Sequence, residues 1–358
     1  MRREPHALTG GCSNVATVVT DGGGAPRWVI ASVSDDPFDV RTRVIVDRNG
    51  PLGYVSTELQ PANATGMAER GYVVVEGERG RGVNEAGFAL CWAYVDEREV
   101  DAAGDGLTSG LFTRKLLGEC PTVAAALEII ESAERNFAGA WFFADAGGDF
   151  AQVEIGRSAY TVVASGGPEP GRFAVNVNCY QDPAMTDLQQ PWGALNVRAA
   201  PNGARREAAL AALAALDRPA ALADVAAVLS DHAGAERPGA EEPWVFPSQG
   251  FSVCNHGTFG PNAPAGAVAF GTVSAEILDP STRTLWYCYG WPCGERSATA
   301  DQPFQERSWG RFLPFCLDRL PAGAMTTIEG EVTPAAAGAI DTGAAFEPRR
   351  ARATEARA

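Results

Sequence analysis

Strand-like and helix-like runs come in blocks along these 358 residues, and this grouping constrains the fold more than any other feature. NVATVVT (14–20) and WVIASVS (28–34), joined by the turn-rich DGGGAP, predict a hairpin. TRVIVDR, GYVVVEGE and EAGFALCWAYV continue in the same branched and aromatic idiom. Between 107 and 134 the period changes: apolar residues fall three and four apart, which predicts two amphipathic helices, the second capped by Thr122. Strands return in AWFFADAGGDFAQVEIG (140–156), where DAGGD predicts a tight hairpin, and in AYTVVAS and FAVNVNCY. The Ala/Leu-rich stretch from Ala204 to Ala233 predicts two helices divided by Pro219. FSVCNHGTFG, AVAFGTVSAEILD and RTLWYCYGW then predict closing strands. Strand and helix do not alternate one for one. A parallel doubly wound sheet is therefore disfavoured against antiparallel sheets with segregated helical layers.

Composition narrows the function. With 46% hydrophobic residues the chain can bury a large core. It lacks any run of 18 uncharged apolar residues, so no membrane span is expected. The opening MRREPHALTGGC has no apolar core of a secretory signal, and a cytoplasmic location is the expectation. A formal charge of −15 argues against a nucleic-acid partner, which would require a dense basic surface. The eight cysteines (12, 91, 120, 179, 254, 288, 293 and 316) form no CxxC pair and read as reduced, mostly buried thiols. His6, His232 and His256 are few and dispersed, and neither a cofactor nor a metal is expected. Asn63–Thr65 fits a glycosylation acceptor pattern that has no meaning without export. Beyond about residue 320 there is little to bury, so 321–358 reads as a disordered or loosely attached tail.

One stretch invites chemistry. TGGCSN (9–14) sets Cys12 behind Gly10 and Gly11. A cysteine at a chain start carries an α-amine of pKa about 7.7–8.0 beside a thiol near 8.5, so one residue supplies both base and nucleophile. Reaching that state requires removal of residues 1–11 as a short propeptide. Cys12 could attack the Gly11 carbonyl, shift the acyl group from nitrogen to sulfur and let water cleave the ester. Gly11 offers no side chain to obstruct the approach. On this stretch alone, a glycine-flanked cysteine packed at a strand start is the ordinary alternative.

Seven separated stretches resemble the acyl-coenzyme A:6-aminopenicillanic acid acyltransferase family of cysteine N-terminal nucleophile hydrolases. They are GGCSNVA, IASVSDDP, GVNEAGFAL, FTRKLLGECPTVAAALEII, WFFADAGGDFAQVEIG, NVNCYQ and SVCNHGT with SAEILDPSTRTLWYCYGWPC, and they occur in family order. The resemblance implies an α+β fold, an αββα sandwich of two stacked antiparallel sheets between helical layers, spanning 12–320. It implies Cys12 as a nucleophile forming an acyl-thioester and Asp35 as the group that orients the liberated α-ammonium. Asn178 would donate to the developing oxyanion. The implied activity is hydrolysis of a small linear amide, or its formation by acyl transfer. The partner would be a small-molecule amide or acyl donor, with homo-oligomerisation left open. An N-acyltransferase fed by acyl-coenzyme A is the alternative, and a non-processing scaffold or binding relative the second.

The chain also departs from its relatives. Ser32 and Val33 stand where bile-salt hydrolases carry an Arg-Asn pair, Cys179 follows Asn178 where histidine is common, and Asn255 replaces an arginine between Cys254 and His256. The pocket lining has therefore changed more than the reaction type. Asp36 competes with Asp35, which otherwise reads as a turn residue before proline. Asn176 has the parity of Asn178 and competes with it. Glu85 reads as a turn or sheet-edge carboxylate. Two further groupings carry little weight: a Cys254–His256 catalytic pair, and a zinc set of Cys254, His256, Cys288 and Cys293, whose spacing is unlike the usual ones.

Overall fold

The computed structural model describes residues 12–20, 24–37, 40–61, 79–100, 104–190, 199–233, 251–255, 270–293 and 310–324. The chain opens with β1 (Ser13–Val19), β2 (Arg27–Pro37), β3 (Val40–Asp47), β4 (Tyr54–Pro61), β5 (Gly82–Asn84) and β6 (Ala89–Tyr94). Two helices follow, α1 (Ser109–Glu119) and α2 (Val123–Ser132). Then come β7 (Gly139–Ala144), β8 (Phe150–Ile155), β9 (Tyr160–Ser165) and β10 (Phe173–Val177). A second helical block holds α3 (Pro183–Thr186), α4 (Ala199–Ala214) and α5 (Leu222–Leu229). β11 (Phe270–Asp279), β12 (Thr284–Tyr289), β13 (Leu313–Cys316) and the two-residue β14 (Gly323–Ala324) close the chain.

Among the described residues, β10-β1-β2-β11-β12-β13 form one sheet and β14-β3-β4-β5-β6-β7-β8-β9 another. Every pairing within them is antiparallel. Strand parity decides what each face buries. In β1 and β2, Ala16, Val18, Trp28 and Ile30 pack with Val44, Val55, Phe142 and Phe150 of the second sheet. Their neighbours Val15, Val19, Val29, Ala31 and Val33 point the other way, onto Ala209 and Leu213 of α4 and Val225 and Leu229 of α5. The second sheet turns Leu90, Trp141 and Val153 outward against Phe112, Leu116 and Ile130 of α1 and α2. The result is an αββα sandwich, the architecture the sequence reading anticipated. Phe112, Phe137, Trp141 and Trp92 form one aromatic cluster in the α1–α2 layer, and truncating Trp141 there would cost about 3–5 kcal/mol.

Thr122 caps α2 as expected, its Oγ1 accepting from the Ala125 N–H at 3.2 Å. The helical block after Ala204 is interrupted around Pro219, between α4 and α5. The reading of FSVCNHGTFG as a strand is corrected over 251–255, which form turns and bends. There Cys254 bonds out of register, its N–H to Asp231 O at 3.0 Å. GYVVVEGE (71–78) lies outside the described residues. Gly323 and Ala324 pair with Val46 and Ile45, so sheet structure reaches into the stretch read as a tail; 325–358 lie outside the described residues. Among the described residues no helix is long and apolar enough to cross a membrane.

Candidate active site

Cys12 immediately precedes β1, which is held between β10 and β2. Ser13 lies opposite Val177 on one side and Val33 on the other. Carried one residue further, the antiparallel register sets Cys12 between Asn178 and Ser34. The thiol is buried, 8% exposed for the residue, and Arg81 points a donor at it: Nη2–H to Sγ, 3.3 Å. Burial pushes the thiol pKa up, while the Arg81 charge and the Asp35 backbone amide pull it down.

Arg81 precedes β5 and crosses from the second sheet. Its Nε donates to Ser32 Oγ at 2.9 Å, its Nη1 to Ser34 Oγ, and its Nη2 also to Trp92 O at 3.1 Å. It lies over the Trp92 ring and 3.9 Å from Glu276 Oε2. The serines at 32 and 34 thus accept hydrogen bonds from an arginine that arrives from the other sheet. Glu276, fully buried on β11, is raised by burial, with Arg81 and the Ser274 hydroxyl opposing. The turn after Arg81 is fixed by Asn84, whose Oδ1 accepts from Ala86 and Phe88 and whose Nδ2 donates to Leu117 O and Cys120 O. Gly87 there has φ +83°, and a Cβ would meet Ala146 at 2.6 Å, so the G-x-N-E-x-G pattern is a turn requirement.

Asp35 lies on β2 opposite Thr272, beside a β-bulge between Thr272 and Ser274. Thr272 Oγ1 donates to its Oδ1 at 2.7 Å and Asn255 Nδ2 to its Oδ2 at 3.3 Å. Burial raises its pKa to about 7 against the pull of Arg205 and these two hydrogen bonds. Asp36 also stands at about 7, raised by burial, with Arg81 opposing and Glu276 adding to the rise. Both carboxylates act on the Cys12 thiol, so the structure brings both candidates to the cysteine. They differ in company: Asp35 has Thr272, Asn255 and Arg205, Asp36 the Arg81–Glu276 side.

Asn178 is buried just past β10. Its Nδ2 donates to Tyr94 O at 2.8 Å, its Oδ1 accepts from Arg205 Nη2 at 2.9 Å, and its carbonyl accepts from Asn202 Nδ2 at 3.1 Å. The amide carries a second N–H. Arg205, from α4, also acts on Asp35 and Cys12, and links all three predicted residues. Asn176 lies inside the strand pair, its Oδ1 accepting from Asn14 Nδ2 at 2.6 Å and its buried Nδ2 without a hydrogen-bond partner among the described residues. The loop beyond Asn178 is pinned by Glu154 of β8, whose oxygens accept the Gln181 and Asp182 backbone N–H groups at 2.5 and 3.1 Å. Burial raises Glu154 to about 7, and those two amides oppose the rise.

Arg81, Arg205 and Glu154 were not singled out from the sequence. Only Glu154 carried a signal there, as the acid closing the DAGGD hairpin motif. Gly11 and His256 lie outside the described residues, which leaves the Cys254–His256 pairing outside them as well. Glu85 is where a turn carboxylate belongs, its side chain 3.9 Å from Arg48. An open cleft lined by Asp47, Tyr54, Leu107, Arg114 and Glu119 is separate from Cys12, Asp35 and Asn178.

Residues 59–196 match the model of the acyl-coenzyme A:6-aminopenicillanic acid acyl-transferase family. That stretch is what the chain shares with the family, and it spans less than half of the 358 residues. The matched segment includes Arg81, Glu154 and Asn178, and stops short of Cys12, Asp35 and Arg205 on either side. Among solved structures, the chain is similar to penicillin V acylase from Agrobacterium tumefaciens at 15% identity, covering 78% of this chain and 83% of that one, with TM-score 0.42. It is also similar to a Cys-to-Ala variant of conjugated bile acid hydrolase from Clostridium perfringens: 10% identity, 89% and 94% covered, TM-score 0.47. An Arg-to-Leu variant of the same hydrolase gives 11% identity, 89% and 95% covered, TM-score 0.47. No curated protein matches the sequence.

Proposed function

We propose that this protein is a cysteine N-terminal nucleophile enzyme that frees Cys12 by cleaving the Gly11–Cys12 bond and then cleaves a small linear amide through an acyl-thioester. The reading rests on one observation above all: a cysteine held at the entrance of β1, with a guanidinium donor 3.3 Å from its sulfur.

The freed α-amine takes the thiol proton, and the Arg81 N–H stabilises the thiolate left behind. Attack on the substrate carbonyl moves charge onto oxygen, which the second N–H of Asn178 can receive. Arg205 holds that amide in orientation through its Oδ1. Asp35 orients the α-ammonium, and the new cation draws the carboxyl below the value near 7 that burial gives it in the uncleaved chain. The ammonium then protonates the departing amine. Water or a second amine resolves the thioester, so hydrolysis and transfer use the same residues. Acyl transfer is favoured as the second reading by the match to an acyl-transferase family.

Intact mass tests the proposal. Wild-type protein is expected to mature to a species beginning at Cys12, while Cys12→Ala stays full length and inactive. Wild-type protein that turns over an amide while retaining all eleven leading residues overturns it. A full-length chain silent on amides and thioester donors points instead to a scaffold.

A further inference from the structure

We propose that His232, Cys254 and Cys293 form a binding site for a thiophilic metal ion, with Zn2+ the ion their chemistry fits. The three residues come from separate parts of the chain: just past α5, the 251–255 turn, and just past β12. Their imidazole and thiol donor atoms all lie within 4.8 Å of one another. A tetrahedral zinc with Zn–S near 2.3 Å and Zn–N near 2.0 Å needs neighbouring donors roughly 3.5–3.8 Å apart, so a contraction of at most about an ångström completes the geometry. The Cys254 and Cys293 thiols are already hydrogen-bonded to each other. The Cys254 N–H bond to Asp231 O at 3.0 Å ties the His232 segment to the cysteine turn.

Cys254 is buried, whereas His232 and Cys293 are half-buried. Binding would release two thiol protons and leave a fourth position for water. The set differs from the one weighed in the sequence. His232 was set aside there with the other dispersed histidines, and Cys288 belongs to the layer under α4 and α5, its thiol directed at Tyr289 O. No spacing rule finds three ligands 22 and 39 residues apart; the fold assembles them.

The site has a stated consequence. Cys254 precedes Asn255, which donates to Asp35 Oδ2 at 3.3 Å. An ion on Cys254 would hold that turn, and with it the asparagine, in place beside the candidate active site.

The test uses the full-length, reduced, chelator-treated protein, titrated with Zn2+ against a chromophoric competitor and separately with Co2+. One equivalent is expected, with thiolate-to-cobalt charge transfer in the near ultraviolet. His232→Ala and Cys293→Ser should each weaken binding by at least about 100-fold, since loss of mere supporting groups already costs 10–100-fold. Cys316→Ser and Cys12→Ala should retain the site; the latter excludes chelation by a freed N-terminal cysteine. Cys293 and His232 are only half-buried, so their variants stand in if Cys254→Ser fails to fold. Absence of the cobalt band, or binding indifferent to both variants, overturns the proposal. A Cys254–Cys293 disulfide that forms on mild oxidation with no metal taken up beforehand overturns it too.

Discussion

Replacing Arg81 with methionine keeps much of the side-chain volume and removes the guanidinium that reaches Cys12, Ser32, Ser34 and Trp92 O. A hydrogen bond from a charged donor contributes about 1.5–3 kcal/mol. At 1.36 kcal/mol per pKa unit, its loss moves the Cys12 thiol up by about one to two units. Burial already holds that thiol above its ordinary value, so the shift adds to the existing one. Turnover at neutral pH should fall roughly 10–100-fold if the thiolate is the nucleophile. Stability falls too, because Glu276, 0% exposed, loses its cation, a situation that typically costs about 3–5 kcal/mol. Arg81→Met with Glu276→Gln separates the two effects: it should regain much of the stability while the thiol stays sluggish. The assay is the pH dependence of alkylation at Cys12, followed on the Cys12 peptide by mass spectrometry so that the other thiols do not interfere. An alkylation midpoint that coincides in wild type and Arg81→Met would refute the claim that this cation acts on the sulfur.

Asn178→Ala should lower kcat by about 10²–10³ with KM little changed, the signature of a lost oxyanion donor; steady-state kinetics that move KM alone would count against it. In the uncleaved Cys12→Ala protein, the Asp35 carboxyl at about 7 keeps its proton where the unfolded one, near 3.9, has lost it. The native state then binds more protons, so stability falls as pH rises from about 4 through 7 and is level beyond. Urea midpoints across that range should show a shallower slope for Asp35→Asn in the same background, by up to one proton. Glu154→Gln should cost about 1–3 kcal/mol in urea unfolding and also depress activity, because one backbone N–H of the Asn178 loop loses its acceptor.

The layers could be read from sequence because periodicity reports burial, and each sheet has one face to the core and one to helices. Val15 and Ala16 alternate between those faces as their parity requires. That Cys12, Asp35 and Asn178 gather at one place was legible because each adjoins a strand end with turn chemistry or a motif around it. Arg81 and Arg205 were not. Their contacts with Cys12, Asp35 and Asn178 depend on where β5 and α4 deliver a long side chain, and nothing local distinguishes them from solvated arginines. Asn255 read as a changed pocket lining at an arginine position; in the structure it donates to Asp35, with Thr272 alongside. The 251–255 stretch misled because its apolar residues pack into the core without ladder pairing, a burial that strand patterning cannot tell from a strand.

The guanidinium and the sulfur it meets belong to opposite leaves of the sandwich. Whatever slides or spreads those leaves, whether hydrostatic pressure, a core substitution between them or modest heating, alters that junction before any strand need come apart. Alkylation speed at Cys12 therefore serves as a built-in gauge of how the two leaves are seated.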